Sequence, residues 1–188
     1  MIDEDGCWPE WLVRKIAGEE RWGKLNEKEK KLACKDPFGA NNMNKAWRLT
    51  DKWGVEMMGD AYWGDNNIGN AFRHAFWNAA GTFMMGASKT KKFTDAHEWG
   101  EYGQSTIMDS FNNKAGRSIA TLYKKELKRY QKSLPQGMSR VSGSGAYIDY
   151  FYYYNVKISL TGDHYANIAL MVNTATNQGN GVVLRWIK

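Results

Sequence analysis

The chain has 188 residues, a net charge of +6 and 43% hydrophobic residues that include 9 Trp, 10 Tyr and 7 Phe. So many aromatics exclude a disordered polar chain, and no apolar run reaches the roughly 20 residues that a membrane span requires. Two cysteines, Cys7 and Cys34, are too few for a cysteine-built zinc cluster and read as two ordinary thiols.

The N-terminus MIDEDGCWPEW is acidic and has no apolar segment of the kind a secretory signal carries, so any export is expected to use a non-Sec route. Residues 8–34 read as mixed helix. In NEKEKKLACK, Asn26 with Glu29 three positions on resembles a capping box. Asp36-Pro37 stops that helix, because the residue before proline is driven out of the helical region. Residues 42–54 read as a packing helix and 56–69 as a Gly/Asp/Asn loop, with Asp65 or Asn66 as cap of the next helix.

Residues 70–85 read as the central helix. Its apolar residues cover most of the circumference, which marks a buried helix, yet Asn70, His74 and Asn78 form a polar line at four-residue spacing. Residues 86–92 read as a basic loop, with Thr94 capping a short helix that carries His97 and Glu98. Residues 107–133 read as the longest helix, with Asp109, Asn113 and Arg117 on one line and Pro135-Gln136-Gly137 as its stop. Residues 114–140 concentrate basic side chains (Lys114, Arg117, Lys124, Lys125, Lys128, Arg129, Lys132, Arg140) against Glu126 alone, a face suited to nucleic acid or another polyanion.

Beyond a linker at 139–145 the apolar period changes to two over 156–160, 168–172 and 182–187, which predicts a three-stranded antiparallel meander. His164 falls in a turn between strands and reads as a surface residue. The tyrosine run from 147 to 154 reads as strand-face packing. The expected fold is mainly α: a helical bundle over 1–138 that carries the chemistry, and a small antiparallel β appendage over 139–188 packed on it.

The polar residues on these buried helices define the candidate site. Two histidines can supply general acid and base, so His74 and His97 are the expected catalytic pair, with Glu98 and Asp109 orienting an imidazole. Arg73 and Arg117 can neutralise phosphate or an oxyanion, and Asn78, Asn112 and Asn113 can donate to the same oxygen. No cofactor is required by this scheme. The metal alternative places a divalent ion on His74, His97, Glu98 and Asp109, although His97-Glu98 does not belong to an HExxH motif. A serine hydrolase is disfavoured because no GxSxG occurs. The bland alternative is a buried polar network that only locks helices together.

Taken in order, NAFRHAFWNA, TDAHE and MDSFNNKAGRSIA, preceded by NEKEKKLACKDPFGA, resemble an uncharacterised bacterial domain found at the C-termini of wall-associated and YD-repeat (Rhs-type) proteins and other secreted toxin-like chains. The resemblance covers roughly residues 26–125. Ser110-Phe111 stands where that pattern has an aliphatic–His pair, so no third catalytic histidine is carried over. The resemblance implies a toxin or effector domain, secreted or delivered into a target cell, with a delivery protein and a cognate immunity protein as partners. By analogy it acts as a nuclease or as a lipid or cell-envelope hydrolase; the different-class alternative is a non-enzymatic binding module.

Overall fold

The helix that lies deepest is built largely from small residues. Ala71, Ala75, Ala79 and Ala80 are fully buried in α5 (Ile68–Met85), together with Phe72 and Phe76. The computed structural model describes residues 3–65, 67–133 and 150–177. Around α5 stand α4 (Pro37–Met58), α6 (Ala87–His97), α7 (Gln104–Ser133) and α8 (His164–Asn177). Three shorter helices, α1 (Glu10–Ala17), α2 (Glu19–Lys24) and α3 (Glu27–Lys35), form a subsidiary layer with its own cluster of Val13, Trp22 and Ala33. Among the described residues the only sheet is a hairpin of β1 (Tyr150–Tyr153) and β2 (Val156–Ser159), paired from Tyr150 with Ser159 to Tyr153 with Val156. No helix of the described residues is long and apolar enough to cross a membrane.

Local chemistry sets the helix boundaries. Asn26 caps α3 through the full capping box with Glu29. Asp36 ends α3 and caps α4, accepting from the Gly39 N–H, and Pro37 occupies the first helical position, where its missing N–H costs nothing. Asn67, rather than Asp65 or Asn66, caps α5 by accepting from the Asn70 N–H at 2.9 Å.

Helices α5 and α7 lie very close together for a reason visible at Gly116. A Cβ on that residue would lie 1.9 Å from the Ala75 carbonyl oxygen, so only glycine lets the two backbones approach this far. That contact brings the polar lines of the two helices within hydrogen-bonding range.

Three expectations are corrected. Residues 87–92 are not a loop but the start of α6, and Thr94 lies inside that helix instead of capping it. Thr90 and Thr94 return their hydroxyls to the Gly86 and Thr90 carbonyls, so a composition that suggests loop can be buried as helix. Residues 168–172 are helical, within α8. Their alternation was incomplete, since Ala169 and Met171 are apolar too, and Ile168, Ala169, Met171 and Val172 are all buried. A short run that is apolar throughout does not distinguish buried strand from buried helix. The partner of β2 is instead the tyrosine run, joined through Tyr154 and Asn155, both at positive φ as a tight hairpin turn requires. The three-stranded meander is therefore a two-stranded hairpin as far as the described residues extend; the expected strand at 182–187, the linker at 139–145 and the helix stop at 135–137 lie outside them.

His164 is the third correction. It starts α8 and is half-buried, its Nδ1 sits 2.9 Å from the Tyr123 hydroxyl, and its ring packs on Phe83 at 5.4 Å. Ile158, Leu160 and the buried side of α8 join the same core as α5 and α7.

A candidate acid–base centre on the α5–α7 seam

The two polar lines meet rung by rung. Asn70 Nδ2 donates to Asp109 Oδ1 at 3.0 Å, Asn78 Nδ2 to Asn113 Oδ1 at 2.6 Å, and Arg117 NH1 to Asn78 Oδ1 at 2.7 Å. His74 lies between them, Nδ1 3.2 Å from Asn113 Oδ1 and Nε2 3.3 Å from Asp109 Oδ1. Glu98, just beyond α6, closes the third side: its Oε1 accepts from Asn113 Nδ2 at 2.9 Å and lies 3.5 Å from His74 Nδ1. His74, Glu98 and Asp109 expose only 14%, 10% and 9% of their side chains, so this network is nearly sealed.

Donor and acceptor roles are set by the two arginines, which can only donate. Arg117 fixes Asn78 with its oxygen outward, so the Asn78 amide nitrogen points to Asn113. Asn113 must then present oxygen to Asn78 and His74, and nitrogen to Glu98. That makes His74 Nδ1 the protonated nitrogen and leaves Nε2 as a lone pair aimed at Asp109. From the other end, Arg73 NH2 donates to Asn70 Oδ1 at 3.0 Å, which turns the Asn70 nitrogen to Asp109. A bare Nε2 facing a carboxylate oxygen is repulsive unless one proton lies between them. His74 Nε2 and Asp109 Oδ1, 3.3 Å apart, are thus placed to share a single proton.

The electrostatics agree with the geometry. Burial, reinforced by the charge of His97, lowers His74 to about 4. Burial, reinforced by Glu98, pushes Asp109 up to about 7, and burial, with Glu101 and Glu29, raises Glu98. Below about pH 7 the proton of the pair therefore resides on Asp109.

This exchange of sites has a measurable consequence. Unfolded, the two groups titrate near their ordinary 3.8 and 6.5; folded, they titrate near about 4 and about 7 with the sites interchanged. The two macroscopic steps barely move, so the pair adds little pH dependence to stability. Asp109→Asn breaks that balance. His74 then has a folded pKa below its unfolded one, the unfolded chain binds the extra proton, and stability falls as pH drops from about 6.5 toward about 4. Urea unfolding at pH 7 and pH 5 should show a larger loss for Asp109→Asn than for the wild type; equal losses would rule out the shared proton.

His97 ends α6 with its ring centroid 6.4 Å from that of His74. It is the open histidine, with 41% of its side chain exposed. Its orienting partner is not Glu98 or Asp109 but Glu29, whose Oε1 lies 2.9 Å from His97 Nδ1 while Oε2 accepts the Asn26 N–H at 2.8 Å. One carboxylate thus completes a helix cap and orients an imidazole, leaving His97 Nε2 without a hydrogen-bond partner among the described residues on a partly exposed ring. Burial works against the charged ring, but Glu29, with help from Glu98 and Glu101, raises its pKa above the ordinary 6.5. The Trp77 ring packs edge-on against it at 5.1 Å. Sequence reading missed Glu29 because the cap already accounted for it; the signal available was only that a cap uses one carboxylate oxygen of two.

The remaining expected residues fall into two groups. Arg73 and Arg117 are in place, but their donors serve the protein: Arg73 holds the Tyr62 and Gly64 carbonyls and Asn70, and Arg117 holds Asn78 and, at 3.3 Å, the Thr94 hydroxyl. Asn112 is fully buried on α7. Among the described residues no group of three or more His, Cys, Asp or Glu is arranged to hold a metal ion.

The stretch that builds this centre is also the stretch that can be placed among known proteins. Residues 30–140 match the model of a domain of unknown function, DUF6973. The chain belongs to that family. The matched span of the DUF6973 domain holds every residue of the centre except Glu29 and the cap residue Asn26, which lie just before it. No curated protein and no solved structure matches the chain.

Proposed function

We propose that this DUF6973 domain is a hydrolase of a phosphodiester substrate, RNA or DNA, working by histidine-based acid–base chemistry as a bacterial effector delivered into a target cell. The observation that carries the reading is the pair of imidazole–carboxyl dyads, His97–Glu29 and His74–Asp109, with ring centroids 6.4 Å apart. That gap is bridged by one reacting oxygen or one water.

In this mechanism His97 Nε2 takes the proton of the attacking hydroxyl, and Glu29 stabilises the imidazolium that results. Asp109, protonated below about pH 7, returns a proton to the leaving oxygen, with His74 Nε2 as the other end of its proton track. Glu98 and Asn113 keep His74 in the required tautomer. Arg117 supplies positive charge at the buried end of the centre. Next to His97 the connection between α6 and α7 exposes Trp99 (49%) and Tyr102 (92%), flat apolar faces on which bases can stack. The motif resemblance to toxin-associated C-terminal domains supports delivery, and with it a delivery protein and an immunity protein as partners.

The test is production of the protein in the cytoplasm or the periplasm of a bacterial host, beside His97→Ala. Cytoplasmic toxicity that disappears in His97→Ala, with cleavage of RNA or DNA by the purified protein, is the expected result. Toxicity confined to the periplasm would instead indicate an envelope substrate, and toxicity in neither compartment would remove the effector reading. Repeating the cleavage assay with a chelator tests the metal alternative on His74, His97, Glu98 and Asp109; undiminished cleavage is expected.

A further inference from the structure

A groove of about 550 Å³ lies between the end of α5, the start of α6 and the outer half of α7, and the acid–base centre does not use it. Thr82, Gly86, Ala87 and Thr121 line it beside a row of lysines. Three independent features make it anion-seeking. Lys125, Lys128 and Lys132 have no hydrogen-bond or ion-pair partner among the described residues, whereas Lys124 is held by the Phe83 carbonyl at 3.2 Å and Arg129 by Glu126 at 2.7 Å. The 11-residue helix α6 opens into the groove from Gly86 with no side-chain cap, so its first amides and its positive dipole end face the cavity. Thr82 lines the groove at 2% exposure, and its buried hydroxyl has no partner among the described residues. Rotation about the Thr82 Cα–Cβ bond would turn that hydroxyl toward the groove, where a ligand oxygen would remove the cost of leaving it unpartnered.

We infer that this groove is a subsite for a backbone phosphate of a nucleic-acid strand. The inference rests on the phosphodiester reading of the acid–base centre and extends it. Position argues for a strand. Thr82 is the next member of the line Asn70, His74, Asn78, and Thr121 the next after Asp109, Asn113, Arg117, so the groove continues the same seam. It lies about 12 Å from His74 along α5, eight residues at about 1.5 Å each. One extended polyanion can occupy the groove with one phosphate and reach the centre with another. None of the large apolar side chains exposed on the described surface lines the groove, so nothing there would enter a lipid layer.

The test measures binding of a fluorescein-labelled single-stranded oligonucleotide by anisotropy, on His97→Ala protein so that binding is read without cleavage, from 50 to 200 mM salt. Adding Lys125→Glu with Lys128→Glu is expected to weaken binding on the order of tenfold. It should also flatten the slope of log affinity against log salt by about 1.4, two phosphate contacts at about 0.7 each for a single strand. Thr82→Val should weaken binding several-fold while stability to urea stays level or rises, the opposite of what loss of a structural hydroxyl would give. Unchanged affinity and salt slope in these variants overturn the inference, as does binding to phosphatidylglycerol vesicles but not to the oligonucleotide. The two readings separate cleanly. Groove-dependent binding by a protein that never cleaves leaves the subsite standing and removes the hydrolase. His97-dependent cleavage with groove variants that bind normally does the reverse.

Discussion

Gly116→Ala is expected to be the most damaging single methyl in the protein. The added carbon would lie 1.9 Å from the Ala75 carbonyl oxygen and 2.9 Å from its Cα, and both are backbone atoms in the middle of a buried helix that cannot rotate aside. Helices α5 and α7 must separate by on the order of 1 Å. Overpacking of this kind costs about 1–3 kcal/mol, and here the upper end applies because no flexible side chain absorbs it. The same displacement stretches the 2.6 Å and 2.7 Å bonds that Asn78 makes with Asn113 and Arg117 beyond useful hydrogen-bond length, leaving buried polar groups unpaired. Stability and the His74 tautomer should therefore be lost together. Gly23→Ala is the matched control: a Cβ there meets nothing within 4 Å, the residue sits in α2, and alanine should leave stability level or slightly raised. Equal urea midpoints for the two variants would show that the seam is not held by backbone contact.

That seam explains which parts of the fold and site were legible in the sequence. A polar residue on an otherwise apolar helix must find a partner, and four-residue spacing fixes the face on which it will look for one. Asn70, His74 and Asn78 therefore implied a facing line, and Asp109, Asn113 and Arg117 had the matching spacing. Helix positions leave no freedom once both helices are buried. Arg117 shows the limit of reading charge alone: it belongs by composition to the basic face of α7, but its bonds to Asn78 and Thr94 turn it inward. The basic face is thereby divided into an interior cation and an exterior lysine row, a division that no count of charges contains.

Two other features were not legible, for different reasons. The residues of α8 carry apolar side chains at every position from 168 to 172, and period is uninformative in a run that is apolar throughout. Glu29 failed for want of geometry rather than pattern. It lies 68 positions from His97, on a short helix of the subsidiary layer, and its local role in the capping box was read correctly. Only the docking of α3 against the end of α6, where Asn26 Nδ2 donates to the Ala96 carbonyl at 2.8 Å, brings its second oxygen to the imidazole. The cap that shapes α3 is thus also the device that positions the open histidine.

Glu29→Gln isolates that device. Glutamine still accepts the Asn26 N–H and keeps the capping box, so α3 and its docking should survive. What is lost is the negative charge beside His97, and the glutamine nitrogen now donates to His97 Nδ1, so the neutral ring carries its proton on Nε2. Without that charge, the burial that opposes the charged ring is less well offset, and the His97 pKa should fall. That fall fixes the sign of both pH effects. In the wild type, His97 has a folded pKa above its unfolded value, so its contribution to stability is complete below 6.5 and disappears as pH rises through the folded pKa; Glu29→Gln reduces that contribution and with it the slope. In activity, the limb of the kcat/KM profile that reports His97 should move to lower pH, with a lower plateau because the ring is a weaker base and its neutral tautomer holds a hydrogen on the nitrogen that must accept one. His97→Ala should cost about 10²–10⁴-fold at all pH values, the usual worth of a positioned acid or base. The His97 ring-proton titration by NMR gives the same pKa without any substrate, so the dyad can be tested even before a substrate is in hand. If Glu29→Gln leaves that titration where the wild type has it, Glu29 only caps α3, and His97 owes its elevated pKa to Glu98 and Glu101, the other carboxylates that raise it.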